Sequence, residues 1–169
     1  GTQIPKSVER LAARDNVREV GLVRTCNRTE VYAVAEKFHG AYADIRDFFC
    51  EVGDIAAADL YPHLYSHHDD DAVMHLFEVA AGLDSAVVGE TEILGQVRHA
   101  WEIAQRAGAA RTTMNLLVRH AIGVGKRART ETGTAPATYE MPRGAADRPS
   151  ADAQVRADWG RAARHPTEA

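Results

Sequence analysis

Only two cysteines, Cys26 and Cys50, occur in 169 residues. Two thiols make no disulfide framework and fit a reducing, cytoplasmic setting. Long apolar runs are also lacking, which excludes a membrane-spanning helix. No charged opening leads into an apolar stretch, so no secretory signal is read. The chain opens on Gly1 rather than Met and is expected to be a fragment or a processed product. An excess of positive charge is missing as well: the net charge of −4 argues against a general nucleic-acid coat. No internal repeat is found.

What is present is ordinary soluble-domain material, 45% hydrophobic and 26% charged. The charge is unevenly spread. Gly40 to Glu92 carries twelve acids against one base, Arg46. Ile93 to Arg129 carries seven bases (Arg98, Arg106, Arg111, Arg119, Lys126, Arg127, Arg129) against one acid, Glu102. Such a segment can meet phosphates or simply form a solvated helix face.

Periodicity predicts a short helix over Ile4 to Ala13, with Val8, Leu11 and Ala12 on one side. Strands are expected at Val20 to Val23 and Val31 to Ala35, joined by the polar Arg24 to Thr29. An amphipathic stretch follows Gly40, with Ala41, Ile45, Phe48, Phe49 and Val52 on one stripe and Gly53 closing it. Asp54 to Asp71 reads as loop. Asp69, Asp70 and Asp71 suit the start of a helix that turns Val73, Leu76, Phe77 and Ala80 inward and ends near Gly82. Leu83 to Gly89 is read as a connection. Two more helices are expected, Glu92 to Ala107 before Gly108, and Thr112 to Thr130. The sum is an α+β fold: a small, mainly antiparallel sheet packed with helices, then a helical subdomain. Thr134 to Ala169 lacks apolar periodicity and is expected to be a disordered tail.

The chemistry-bearing candidates start with Cys26, in the polar string Arg24-Thr25-Cys26-Asn27-Arg28-Thr29-Glu30. A thiolate is favoured by neighbouring guanidinium groups, and Arg24 and Arg28 flank it. Cys50, beside Phe48 and Phe49, reads as a small buried hydrophobe. His67 and His68 precede three aspartates, but adjacent residues ligate one ion poorly, so they are read as an exposed acidic helix start rather than a metal site. His75 adjoins the Leu76 and Phe77 stripe, at the edge of a packed helix. Thr91 suits a helix cap, and helix starts with free amides suit carboxylates and esters.

Thr25-Cys26-Asn27-Arg28-Thr29-Glu30, Ala72-Val73-Met74-His75-Leu76 and Gly82-Leu83-Asp84-Ser85, followed by Gly89-Glu90-Thr91-Glu92-Ile93-Leu94-Gly95-Gln96-Val97, occur in that order. Together they resemble the catalytic domain of glutamyl-tRNA reductase, over about Gly1 to Gly133. The resemblance implies an oxidoreductase of tetrapyrrole (porphyrin) biosynthesis that reduces glutamyl-tRNA to glutamate-1-semialdehyde with NADPH. It implies Cys26 as nucleophile, forming a thioester, with His75 nearby. It implies a substrate pocket of Thr25, Asn27, Arg28, Ser85, Glu90, Thr91, Glu92 and Gln96. Arg28 is the natural partner of the glutamate carboxylate, because guanidinium binds carboxylate bidentately.

The chain departs from the family pattern in three ways. It starts after the family's opening strand. It shows no Gly-x-Gly-x-x-Gly fingerprint after a strand, so the NADPH-binding Rossmann domain and the dimerisation region are not found. Residues 134–169 match nothing expected. The expectation is therefore a domain limited to thioester formation and hydrolysis. The competing expectation is an inactive module that binds tRNA or a partner.

Overall fold

A computed structural model describes residues 3–25, 28–84 and 92–132, and the backbone of 156–157. Helix α1 (Gln3–Ala12) buries Val8 and Leu11. Strand β1 (Glu19–Arg24) and strand β2 (Thr29–Val34) pair antiparallel, with Glu19 opposite Val34 and Arg24 opposite Thr29. Helix α2 (Phe38–Gly53), the short helix α3 (Ala57–Leu60), a 3-10 turn (Tyr61–His63) and strand β3 (Leu64–Tyr65) follow. Helices α4 (Asp69–Ala81), α5 (Glu92–Arg106) and α6 (Thr112–Thr132) complete the helical part. Strand β4 (Arg156–Ala157) lies between β2 and β3, giving the sheet order β1-β2-β4-β3. All pairings are antiparallel, so the α+β expectation holds.

The strands form where β-branched and aliphatic side chains can be covered. The first five residues of β1 are all buried, because α1, α5 and α6 pack against it. Its outer edge is also engaged: the Val20 N–H donates to the Ala109 carbonyl at 3.0 Å. The core runs from Val8 and Leu11 through Val20, Phe48 and Phe49 to Leu76, Val79, Val97 and Met114, all nearly inaccessible to water. Burying side chains of this size contributes about 1.5–3 kcal/mol each. No helix among the described residues is long and apolar enough to cross a membrane.

Three expectations are corrected. The span from Asp54 to Asp71 is not a plain loop. Leu60, 2% exposed, anchors α3, and Leu64–Tyr65 joins the sheet. One apolar anchor in four residues leaves no period to detect. Gly53 does not close α2. It is the last helical residue, and Asp54 takes the left-handed conformation at φ 50° with its N–H on the Cys50 carbonyl. Asp adopts this region more readily than most residues with a side chain. Val52, placed on the α2 stripe, is instead exposed.

The helical layer is tied at its ends and at one crossing. Gly82 caps α4 at φ 79°, bonding back to Glu78 and Val79 carbonyls. The Trp101 indole on α5 donates to the Asn115 side-chain oxygen on α6 at 2.7 Å. Where α6 crosses α4, Gly125 lies so close that an added Cβ would sit 2.4 Å from the Ala80 carbonyl oxygen.

Candidate active site

The β1–β2 hairpin ends in a hydrogen-bonded turn. The Thr25 N–H donates to the Arg28 carbonyl at 2.9 Å. The Arg28 N–H donates to the Thr25 hydroxyl oxygen at 3.1 Å. Short polar side chains favour such local bonds to backbone. Cys26 and Asn27 lie outside the described residues. Ser85, Glu90 and Thr91 also lie outside them, as do residues 134–155 and 158–169.

Arg28 does not extend into solvent. It is 6% exposed and spans from β2 to the segment after α4. Its Nε stands 2.8 Å from Glu30 Oε1, and its Nη1 2.8 Å from Asp84 Oδ2. Nη1 also donates to the Asp84 backbone carbonyl. Gly82 makes this possible by turning the chain at the end of α4. Nε meets Glu30 as an ion pair without hydrogen-bond geometry, and Nη2 is buried with no hydrogen-bond partner among the described residues. A buried guanidinium N–H without an acceptor is costly, so this atom favours any carboxylate oxygen that reaches it.

Glu30 is the hub. It is buried on β2 and is touched by three side chains. Besides Arg28, the Tyr32 hydroxyl donates to its Oε2 at 2.5 Å, and His75 Nε2 lies 3.2 Å from its Oε1. Burial pushes the Glu30 carboxyl up. The His75 hydrogen bond, the charges of Arg28 and His75, and the Tyr32 hydroxyl outweigh burial and hold it below the ordinary carboxylate range. Tyr32 is pushed well above its ordinary value, first by burial and then by the adjacent Glu30 charge, so it stays a phenol and donates.

His75 is buried at 7% exposure, which corrects its placement at the edge of α4. The buried face of α4 is His75, Leu76, Val79 and Ala80, while Val73 and Phe77 are only partly covered. The helix is turned because Glu30 supplies a partner for the imidazole inside. The His75 ring stacks on Tyr32 at 6.4 Å between centroids and meets His67 at 5.1 Å. Burial, and then the charge of His75, lower the pKa of His67. A cleft of about 280 Å³ opens beside these rings, lined by Glu30, Tyr32, His67, His75, Met114 and Leu117.

Glu30, His75 and Asp84 bring ligand-type atoms within 4.8 Å of one another. A cation already pairs with both carboxylates, the Arg28 guanidinium. A metal ion would have to displace a buried cation, so this donor set does not fit one. Glu92 is exposed in the first turn of α5, and Gln96 is half-buried one turn on. No hydrogen bond joins either to the Arg28 and His75 group among the described residues. Arg98 and Arg106 on α5, Arg111 in the link that follows, and Arg119, Lys126 and Arg127 on α6 are exposed, while Arg129 is half-buried.

Sequence reasoning missed three members of this group. Glu30 and Asp84 lay inside the quoted strings without a role, and Tyr32 was placed only as a strand residue. The available signal was a carboxylate between Thr29 and Val31 inside a strand. Such a charge must be solvated or paired.

The family model described as glutamyl-tRNAGlu reductase, N-terminal domain, matches residues 1–132. The glutamyl-tRNA reductase of Frankia alni is 50% identical over 132 residues, covering 78% of this chain and 28% of that protein. Glutamyl-tRNA reductase 1 of a Nocardioides species is 41% identical over 148 residues, covering 88% and 34%. Among solved structures, the glutamyl-tRNA reductase from Methanopyrus kandleri matches with 36% identity and a TM-score of 0.48, covering 75% of this chain and 31% of that one. The chain thus spans about a third or less of the length of these relatives.

Proposed function

The chain belongs to the glutamyl-tRNA reductase family, and on that premise we propose that it carries the acyl-transfer half of the reaction named for its relatives, with Cys26 as nucleophile and glutamyl-tRNA as substrate. Residues 1–133 form the catalytic unit. The Cys26 thiolate attacks the ester carbonyl that joins glutamate to the tRNA ribose. The carbon–sulfur bond forms, the carbon–oxygen bond to ribose breaks, and the ribose oxygen takes up a proton. The product is a glutamyl thioester on Cys26 and free tRNA. His75 accepts the thiol proton directly or through water. Arg28 offers the unpartnered Nη2 to the glutamate side-chain carboxylate. Thr25, Asn27, Ser85, Glu90, Thr91, Glu92 and Gln96 complete the pocket.

The observation that carries this reading is the buried Arg28–Glu30–His75 group. It begins two residues after Cys26 and holds a cation and an imidazole in place on one buried carboxylate. Adjacent cationic groups favour a thiolate.

In the full family reaction, NADPH supplies the hydride that releases the semialdehyde. The described residues do not fit that cofactor. Their strands are all antiparallel, and no strand runs through a glycine-rich turn into a helix to cradle a pyrophosphate. In the isolated chain, water is the remaining acceptor for the thioester. Its attack on the carbonyl gives glutamate and returns the free thiol.

Single-turnover incubation with glutamyl-tRNA labelled in the amino acid tests the proposal. Acid-stable label on the wild-type protein, absent from Cys26→Ser, is expected. No label, or equal label on both, overturns it, and tRNA retention without label then identifies a binding module.

A further inference from the structure

Glu30 does not itself touch the reacting atoms in the reaction proposed above, yet three side chains meet on it inside the protein. Three side chains converge on its two oxygens: Arg28 Nε at 2.8 Å, Tyr32 Oη at 2.5 Å and His75 Nε2 at 3.2 Å. It is 4% exposed, so none of these contacts competes with bulk water. We propose that Glu30 is a positioning residue, which fixes His75 as the Nε2–H tautomer, so that Nδ1 carries the lone pair available for proton transfer.

The argument is one of donors and acceptors. Two of Glu30's contacts come from groups that can only donate to a carboxylate, the guanidinium and the phenol hydroxyl. A neutral imidazole carries one N–H and one lone pair, and the partner of one nitrogen decides which is which. A carboxylate surrounded by donors accepts and does not donate. In the neutral ring Nε2 must therefore bear the proton and Nδ1 must be bare; a second proton, which gives the ring the charge felt by Glu30 and His67, sits on Nδ1. Tyr32 stacks on the same ring at an interplanar angle of 17° and limits its rotation, while it also holds Glu30 Oε2. Orientation and tautomer are thus set by one strand, through Glu30 and Tyr32. Arg28, in the turn just before that strand, supplies the countercharge. The other charged and titratable groups near the pair are Asp84 beyond Arg28, and His67 against the His75 ring, with Asp71 and Glu78 acting on His67 in turn.

The use of Nδ1 as a proton acceptor for Cys26 rests on the acyl-transfer reading; the tautomer itself does not. Long-range nitrogen–proton correlation spectra of the ¹⁵N-histidine-labelled full chain, assigned with His75→Asn, read the tautomer directly. The wild-type protein is expected to show a protonated Nε2 and a bare Nδ1 at His75. Glu30→Gln is expected to shift His75 toward a mixture containing the Nδ1–H form. Tyr32→Phe, which leaves the carboxylate in place, is expected to keep the wild-type tautomer. A wild-type His75 protonated at Nδ1 overturns the proposal, and this holds even where Glu30→Gln fails to fold. A folded Glu30→Gln with an unchanged tautomer overturns it too.

A second readout is the iodoacetamide alkylation rate of Cys26 at neutral pH, expected to fall by roughly tenfold or more in Glu30→Gln. An inert wild-type Cys26 beside a correctly protonated His75 sinks the acyl-transfer reading alone. A reactive Cys26 whose rate is unchanged in folded Glu30→Gln sinks the positioning role.

Discussion

The carboxylate of Glu19, at the start of β1, accepts a hydrogen bond from the backbone N–H of Met114 at 2.9 Å, in the first turn of α6. It also accepts from the N–H groups of Arg111 and Thr113 at 2.7 and 3.1 Å. A residue 95 positions away thus does the work of a helix cap, with a full negative charge at the positive end of the dipole.

Glu19→Gln should therefore destabilise the fold by about 1–3 kcal/mol at neutral pH, measured by denaturant unfolding. Burial pushes the Glu19 carboxyl up, but the three amides hold it below its ordinary value of 4.5. A depressed folded pKa stabilises above the unfolded value and loses that contribution as acid titrates through the folded one. The gap between wild type and Glu19→Gln should then close on acidification. A gap that is constant with pH would show that the charge does not matter.

Two glycines of α6, two residues apart, should respond with opposite signs to alanine. Gly125→Ala places a Cβ 2.4 Å from the Ala80 carbonyl oxygen and 2.9 Å from its carbon, both backbone. Overpacking of this kind costs about 1–3 kcal/mol. A Cβ at Gly123 meets nothing within 4 Å. Gly123→Ala should stabilise by about 0.5–1 kcal/mol through helix propensity. Thermal melts of the two variants settle the ordering.

Arg28→Ala should cost about 3–5 kcal/mol, because Glu30 is left charged and buried without its cation. The loss should shrink in acid, where protonation of Glu30 removes the stranded charge. Arg28→Lys should not restore full stability, since an ammonium cannot reach Glu30 and Asp84 with separate nitrogens of one plane.

Asp54→Gly should stabilise by about 0.5 kcal/mol, because Asp54 stands at φ 50° at the end of α2. An unchanged or lowered melting temperature would place the cost of the left-handed cap elsewhere.

The long helices were legible because one face of each is pressed on the core. Ile93, Val97, Ala100 and Ala104 repeat at helical spacing, and all are buried in α5. The elements between Asp54 and Asp71 were not, since a four-residue helix held by Leu60 alone shows no repeat. The end of α2 misled because Gly53 is the better left-handed residue, yet the chain turns one residue later. The α4 face was misjudged at His75 for a tertiary reason. An imidazole goes inside only when a partner waits there, and Glu30 is 45 residues upstream. The string containing Arg28 drew attention to the right place. That the guanidinium is held by Glu30 and Asp84 depends on folding and is written in no local pattern.

The sharing of one carboxylate among Arg28, Tyr32 and His75 has an evolutionary side. Substituting any one of the four alters what the other three must tolerate. Replacements here are expected to be strongly epistatic, with pairwise couplings of about 0.5–3 kcal/mol. Single-step neutral drift at these positions is closed off, and descendants of this chain would have to exchange the members of the quartet together.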